Sequence, residues 1–116
     1  MTRVYLPTTL DRLRDAWSAG AITVPDPDVV VLAEGDDEES EYAALMTAAD
    51  VSADLLAGPG RRVVVVAEVA DATAGHPVPL KRVVAVHADT ADRPAGADPD
   101  DDLAWYATQE VPDLLA

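Results

Sequence analysis

Cysteine is absent from the 116-residue chain. That excludes a disulfide framework, a thiol nucleophile and a thiolate metal site, and it agrees with a reducing compartment. Phenylalanine is absent too, so Trp17, Trp105, Tyr5, Tyr42 and Tyr106 are the whole aromatic inventory. Alanine and valine must therefore fill most of the interior. Basic residues are scarce, 8 against 22 acidic ones, with Lys81 the only lysine and a net charge of −14. Such a surface repels phosphate backbones and anionic membranes, which argues against direct nucleic-acid or membrane binding. No stretch approaches the roughly 20 apolar residues that span a bilayer. The N-terminus, MTRVYLPTTLDRLRD, has no long apolar run behind a basic segment, so no signal peptide is expected and a cytoplasmic location is.

What is present suits a folded globule. Apolar residues make up 49% and charged residues 26%, and the length predicts a single domain over residues 1–116. The bias towards alanine, valine, aspartate and arginine looks like a GC-rich genome, and a halophile would share the excess of aspartate.

Val4-Tyr5-Leu6 reads as a short strand stopped by Pro7. Thr8 or Thr9 then caps a helix over 9–19, with Leu10, Leu13 and Trp17 on one face and Gly20 as its stop. Residues 21–35 read ambiguously. Val29 to Leu32 has strand propensity, but Asp26-Pro27-Asp28 resembles a helix start, and a short helical segment is preferred. GDDEESEYAALMTAADVSADLLAGPG is a long helix, with Asp36 and Glu39 at capping-box spacing. Tyr42, Leu45, Met46, Ala49, Ala53 and Leu56 form its expected apolar stripe. Strands follow at 61–70, apolar on both faces and so central, and at 81–90. Residues 71–80 and 91–102 are loops, the second expected to be mobile at its tip. Residues 103–110 permit a helix or a strand, and the strand is preferred. Leu103, Trp105, Ala107 and Gln109 then face one way, with Trp105 in the core and Leu114 and Leu115 closing behind it. The expected architecture is α+β with two layers. Two main helices lie on one face of a mixed sheet of about four strands, in the order β-α-(α)-α-β-β-β.

Five segments occur in an order that resembles a family of small actinobacterial proteins of unknown function. They are Val4-Tyr5-Leu6-Pro7, Glu41-Tyr42-Ala43-Ala44-Leu45, Arg61-Arg62-Val63-Val64, the stretch from Val78-Pro79-Leu80 to His87, and Trp105-Tyr106-Ala107-Thr108-Gln109-Glu110. The resemblance covers nearly the whole chain. It implies an actinobacterial cytoplasmic protein and supplies no catalytic residues. The chain departs from the pattern at the valine-rich residues 28–33.

Motifs that carry chemistry fare poorly. Asp98, Asp100 and Asp102 have the spacing of the first calcium-loop ligands, but Leu103 stands where glycine is needed and Gln109 where the closing acid belongs. The acids from Asp36 to Glu41 are explained by a helix N-terminus. Gly58-Pro59-Gly60-Arg61-Arg62 follows a helix and leads into a strand, the reverse of a phosphate loop. No metal or cofactor site is expected. His76 lies in a loop, and His87 lies near a strand end with Asp89 two residues on. His87 with Glu68 or Glu110 is the best case for a small hydrolase or transferase. An acidic nucleic-acid mimic is a further alternative. The preferred function is a non-enzymatic protein–protein interaction or regulatory domain, with a basic protein or a second copy as partner. Tyr106, Thr108 and Glu110 are its expected contact surface.

Overall fold

The structure is a computed structural model that describes residues 2–23, 30–70, 77–94 and 96–116. Its central sheet is organised around the first strand, β1 (Thr2–Thr8), which pairs on one side with β3 (Val31–Leu32) and on the other with β4 (Val63–Val69). Both neighbours run antiparallel to β1, so they are parallel to each other with β1 between them. The long helix α2 (Glu38–Leu56) makes that crossover and lies over β1 and the strands beside it. Strands β6 (Val83–Ala88) and β7 (Ala104–Tyr106) extend the sheet beyond β4, giving the order β3-β1-β4-β6-β7. A separate two-stranded sheet joins β2 (Ala21–Ile22) to β5 (Val78–Pro79).

The expected mixed sheet is corrected, because every pairing is antiparallel. The expected single helical layer is corrected too. Strand residues alternate between faces, and the two helices take opposite ones. Val4, Leu6, Val63, Val65 and Val86 face Leu13 of α1 (Leu10–Ala19) and Val111 and Leu114 of the C-terminal helix α3 (Val111–Leu115). Tyr5, Val64 and Val66 face Ala44, Ala48 and Ala49 of α2. Valine on both faces of β4 is what a strand covered on two sides requires.

Local chemistry explains most boundaries. Thr9 caps α1 through the Arg12 amide, 3.3 Å away, and Gly20 ends it in a left-handed conformation at φ 86°. Asp37, not Asp36, caps α2 by accepting from the Ser40 amide and hydroxyl. That hydroxyl and the neighbouring amides hold the Asp37 carboxyl below its usual range. Strand β1 runs through Pro7 rather than stopping there. The described pairs of β3 reach only Val4 and Tyr5, and Pro7 is held in register with Val64 of β4. The expected helical segment before α2 is corrected at Val31–Leu32, which form β3; Asp26, Pro27 and Asp28 lie outside the described residues.

The buried line of α2 keeps Ala49 and Leu45 of the expected stripe but is otherwise shifted. Ala44, Ala48 and Ser52 press against the sheet, while Tyr42 is half exposed and Ala53 is exposed. Small side chains let the helix approach the valine-rich surface closely. Ser52 makes this contact polar and satisfied: its hydroxyl donates to Thr8 O at 2.6 Å and accepts from Val63 N at 2.8 Å.

Candidate functional site

Because α2 is centred on β1, it leaves part of its own sheet face bare. The register across that face reads Tyr5, Val66, Ala85 in one row and Val64, His87, Trp105 in the next. The first strands of each row lie under α2; β6 and β7 do not. A register shift between Val66 and Ala67 leaves Val84 unpaired in β6, a bulge of the kind that redirects a side chain. Val84 is 40% exposed, Trp105 59% and Tyr42, on the flank of α2, 50%. Together with Leu45 they border an open cleft of about 330 Å³ over Val66, Ala85 and His87.

Charge is arranged around the cleft rather than in its floor. Arg3 of β1 bridges Glu41 of α2 and Glu68 of β4, each at 3.1 Å. Three charges in one contact leave a net negative rim. Burial, followed by the Glu41 charge, pushes the Tyr5 phenol above its usual range. Burial alone pushes the His87 imidazole below its usual range, so it is neutral at neutral pH. The Tyr42 hydroxyl donates to Asp102 at 2.7 Å, which pushes the phenol above its usual range and ties the acidic loop to the cleft.

A profile of DUF6912, a family of unknown function, matches residues 2–115. The chain belongs to the DUF6912 family. Comparison with curated proteins and with solved structures gave no match.

In this DUF6912 protein the sequence-expected residues are dispersed. His87 lies in the cleft. Glu68 shares its face but sits four residues along β4 from Val64, the partner of His87, roughly 13 Å at strand spacing. Glu68 is engaged with Arg3. Glu110 turns back to cap the 3-10 turn Thr108–Glu110, accepting from Ala107 N at 3.0 Å. Asp89 is not a partner for His87 either; it is buried against Arg62. His76 lies outside the described residues. Tyr106 packs against the α1-side core and Thr108 is half-buried, leaving Glu110 as the exposed member of the expected contact surface. The expected faces of residues 103–110 are therefore corrected: Trp105 is exposed and Tyr106 packs inward.

In the 91–102 loop, whose Ala95 lies outside the described residues, two arginines bond to residues 98–101. Arg62 meets Asp89 through paired contacts of 2.9 and 3.0 Å, both residues being buried. Its remaining N–H groups reach the carbonyls of Pro99 and Asp101. Arg93 donates to the Asp98 carbonyl and to the Asp101 carboxylate. The aspartates once compared with calcium ligands are used separately: Asp98 accepts from Asp100 N, and Asp102 accepts from Tyr42. No group of three potential metal ligands converges among the described residues.

Two further clefts lie elsewhere on the surface. One of about 350 Å³ at the end of α2 is lined by Gly58, Gly60 and Gly96, and its arginines, Arg62 and Arg93, are already engaged. Another, about 310 Å³ beside α1, is bordered by Leu13, Ala16 and Ile22.

Tyr42 and Val84 as site residues escaped sequence reasoning. The signal for Tyr42 was the spacing of Ala44, Ala48 and Ser52, which marks the close-packed line of the helix and puts the tyrosine on its flank. A bulge at Val84 leaves no trace in a run of valines.

Proposed function

We propose that this chain is a non-enzymatic docking domain that binds a basic protein partner through the Trp105 cleft. One observation carries the reading. Of the five large hydrophobic side chains exposed among the described residues, three, Tyr42, Val84 and Trp105, surround one cleft. Clustered exposed apolar groups with a polar rim are the usual mark of a contact surface, and exposed tryptophan and tyrosine are the usual anchors. The net charge of −14 favours a basic partner over a second copy of the same acidic chain. The lack of cysteine supports action in a reducing cytoplasm, and an actinobacterial source is what the resemblance of the five segments implies.

Affinity capture from a bacterial lysate with the parent and Trp105→Ala proteins, at matched stability, tests the reading. The parent should retain a partner that elutes at high salt, and the variant should lose it. A partner captured equally by both would remove the cleft from the function.

A further inference from the structure

The cleft combines two features that seldom occur together: aromatic surface left open to solvent and a surplus of negative charge. Tyr5, Tyr42 and Trp105, three of the five aromatic residues in the chain, line it. Glu41 and Glu68 outnumber Arg3 at one end, and Asp102 stands at the Tyr42 hydroxyl. The floor carries no opposing charge, because Val66 and Ala85 are apolar and His87 is kept neutral by its burial. An aromatic face attracts a cation through its quadrupole, and tryptophan does so most strongly. Nearby carboxylates add to that attraction without needing direct contact.

We propose that the cleft takes a lysine or arginine side chain from an extended basic segment of the partner, with the cationic group against Trp105 and Tyr42. This rests on the docking role proposed above and gives it a chemistry. Charge disfavours a second copy of the chain as the source of the cation. Arg3, Arg14, Arg61, Arg62 and Arg93 each already hold a carboxylate, and two copies would bring 14 net negative charges each to the contact. Among the described residues the strand β7, which carries Trp105, pairs on one side only, so a partner backbone can run alongside it while its side chain turns into the cleft.

The test is a titration of the full chain with a blocked tetra-arginine peptide, a tetra-lysine peptide and a tetra-citrulline peptide, followed in NMR by the backbone amide signals and the two tryptophan indole N–H signals. Citrulline keeps the shape of arginine and removes its charge. At least one cationic peptide should shift the Trp105 signal saturably while leaving that of Trp17 in place, and citrulline should not. Trp105→Leu and Tyr42→Ala should each weaken cationic-peptide binding about tenfold at unchanged melting temperature. Tyr42→Phe, which keeps the ring and loses the bond to Asp102, should retain most of the binding. Equal shifts with citrulline overturn the proposal, and so does a response spread over the acidic loop with Trp105 unmoved. Either negative result leaves the lysate comparison standing, so loss of the cation reading is distinguishable from loss of the docking role.

Discussion

At Ser52 one hydroxyl joins two layers of the molecule, bridging the end of β1 to the start of β4 beneath α2. Ser52→Ala would leave a buried carbonyl and a buried N–H without partners, and should cost about 1–3 kcal/mol in urea denaturation. Trp105 is the opposite case. With 59% of its surface in water, Trp105→Ala should change stability by less than about 1 kcal/mol, whereas Leu13→Ala, at 1% exposure, should cost about 2–5 kcal/mol. Supply alone points Trp105 inward, since a chain without phenylalanine has few large side chains to fill a core. Valines on both faces of β4, with alanines from α2, fill it instead. Asp89 was similarly illegible. In the chain it neighbours His87, yet its guanidinium partner lies 27 residues away and is placed by strand pairing. Nothing local announces such a pair.

Elements whose signals are local were legible. Helix α1 has its cap, its apolar face and its glycine stop all within its own sequence, and the expectation for 9–19 matches Leu10–Ala19. The central character of β4 was equally readable from valines on both faces. Strand β3 was not, because four apolar residues in a row carry no period, and its strand form depends on pairing with Val4 and Tyr5. The layering was misread for a related reason. A helix between strands shows that a crossover exists, not which face it takes. The 91–102 segment looked free because it is rich in aspartate, glycine and proline, but its carbonyls serve two arginines that are remote in sequence or masked by the loop's own acidity. Replacing Arg93 with alanine should therefore speed amide hydrogen exchange across 98–102 while leaving β4 protected. Unchanged exchange in the loop would show that Arg62 suffices to hold it.

For the whole molecule, charge and protonation set the conditions under which the fold is stable. An excess of 14 negative charges repels itself in the compact state, so raising sodium chloride from low ionic strength should raise the melting temperature by screening. A fall in melting temperature over that range would show that ion pairs such as Arg3 with Glu41 outweigh the repulsion. His87 adds a dependence of opposite kind. Its folded-state value is depressed by burial, so the unfolded chain binds more protons as pH drops below about 6.5. The contribution of the neutral imidazole is fully present above that value and is lost on acidification. Denaturation measured between pH 7.5 and about 5 should show stability falling, with a shallower fall in His87→Gln. Parallel slopes for the two proteins would mean that His87 titrates alike in both states. No helix among the described residues is long and apolar enough to cross a membrane.

Placing β1 between β3 and β4 has a consequence for synthesis. Strand β1 leaves the ribosome before either of its sheet neighbours, and its longest ladder is with residues 63–69. At about 5–20 residues per second, that partner follows several seconds later. Until then Val4, Tyr5 and Leu6 form an apolar segment without a sheet to join, and the nascent chain must carry it unpaired. Late, long-range pairing also puts the fold among those that form over milliseconds to seconds. A destabilising change in β4, such as Val65→Ala, would thus act twice, weakening the finished sheet and lengthening the time β1 waits exposed.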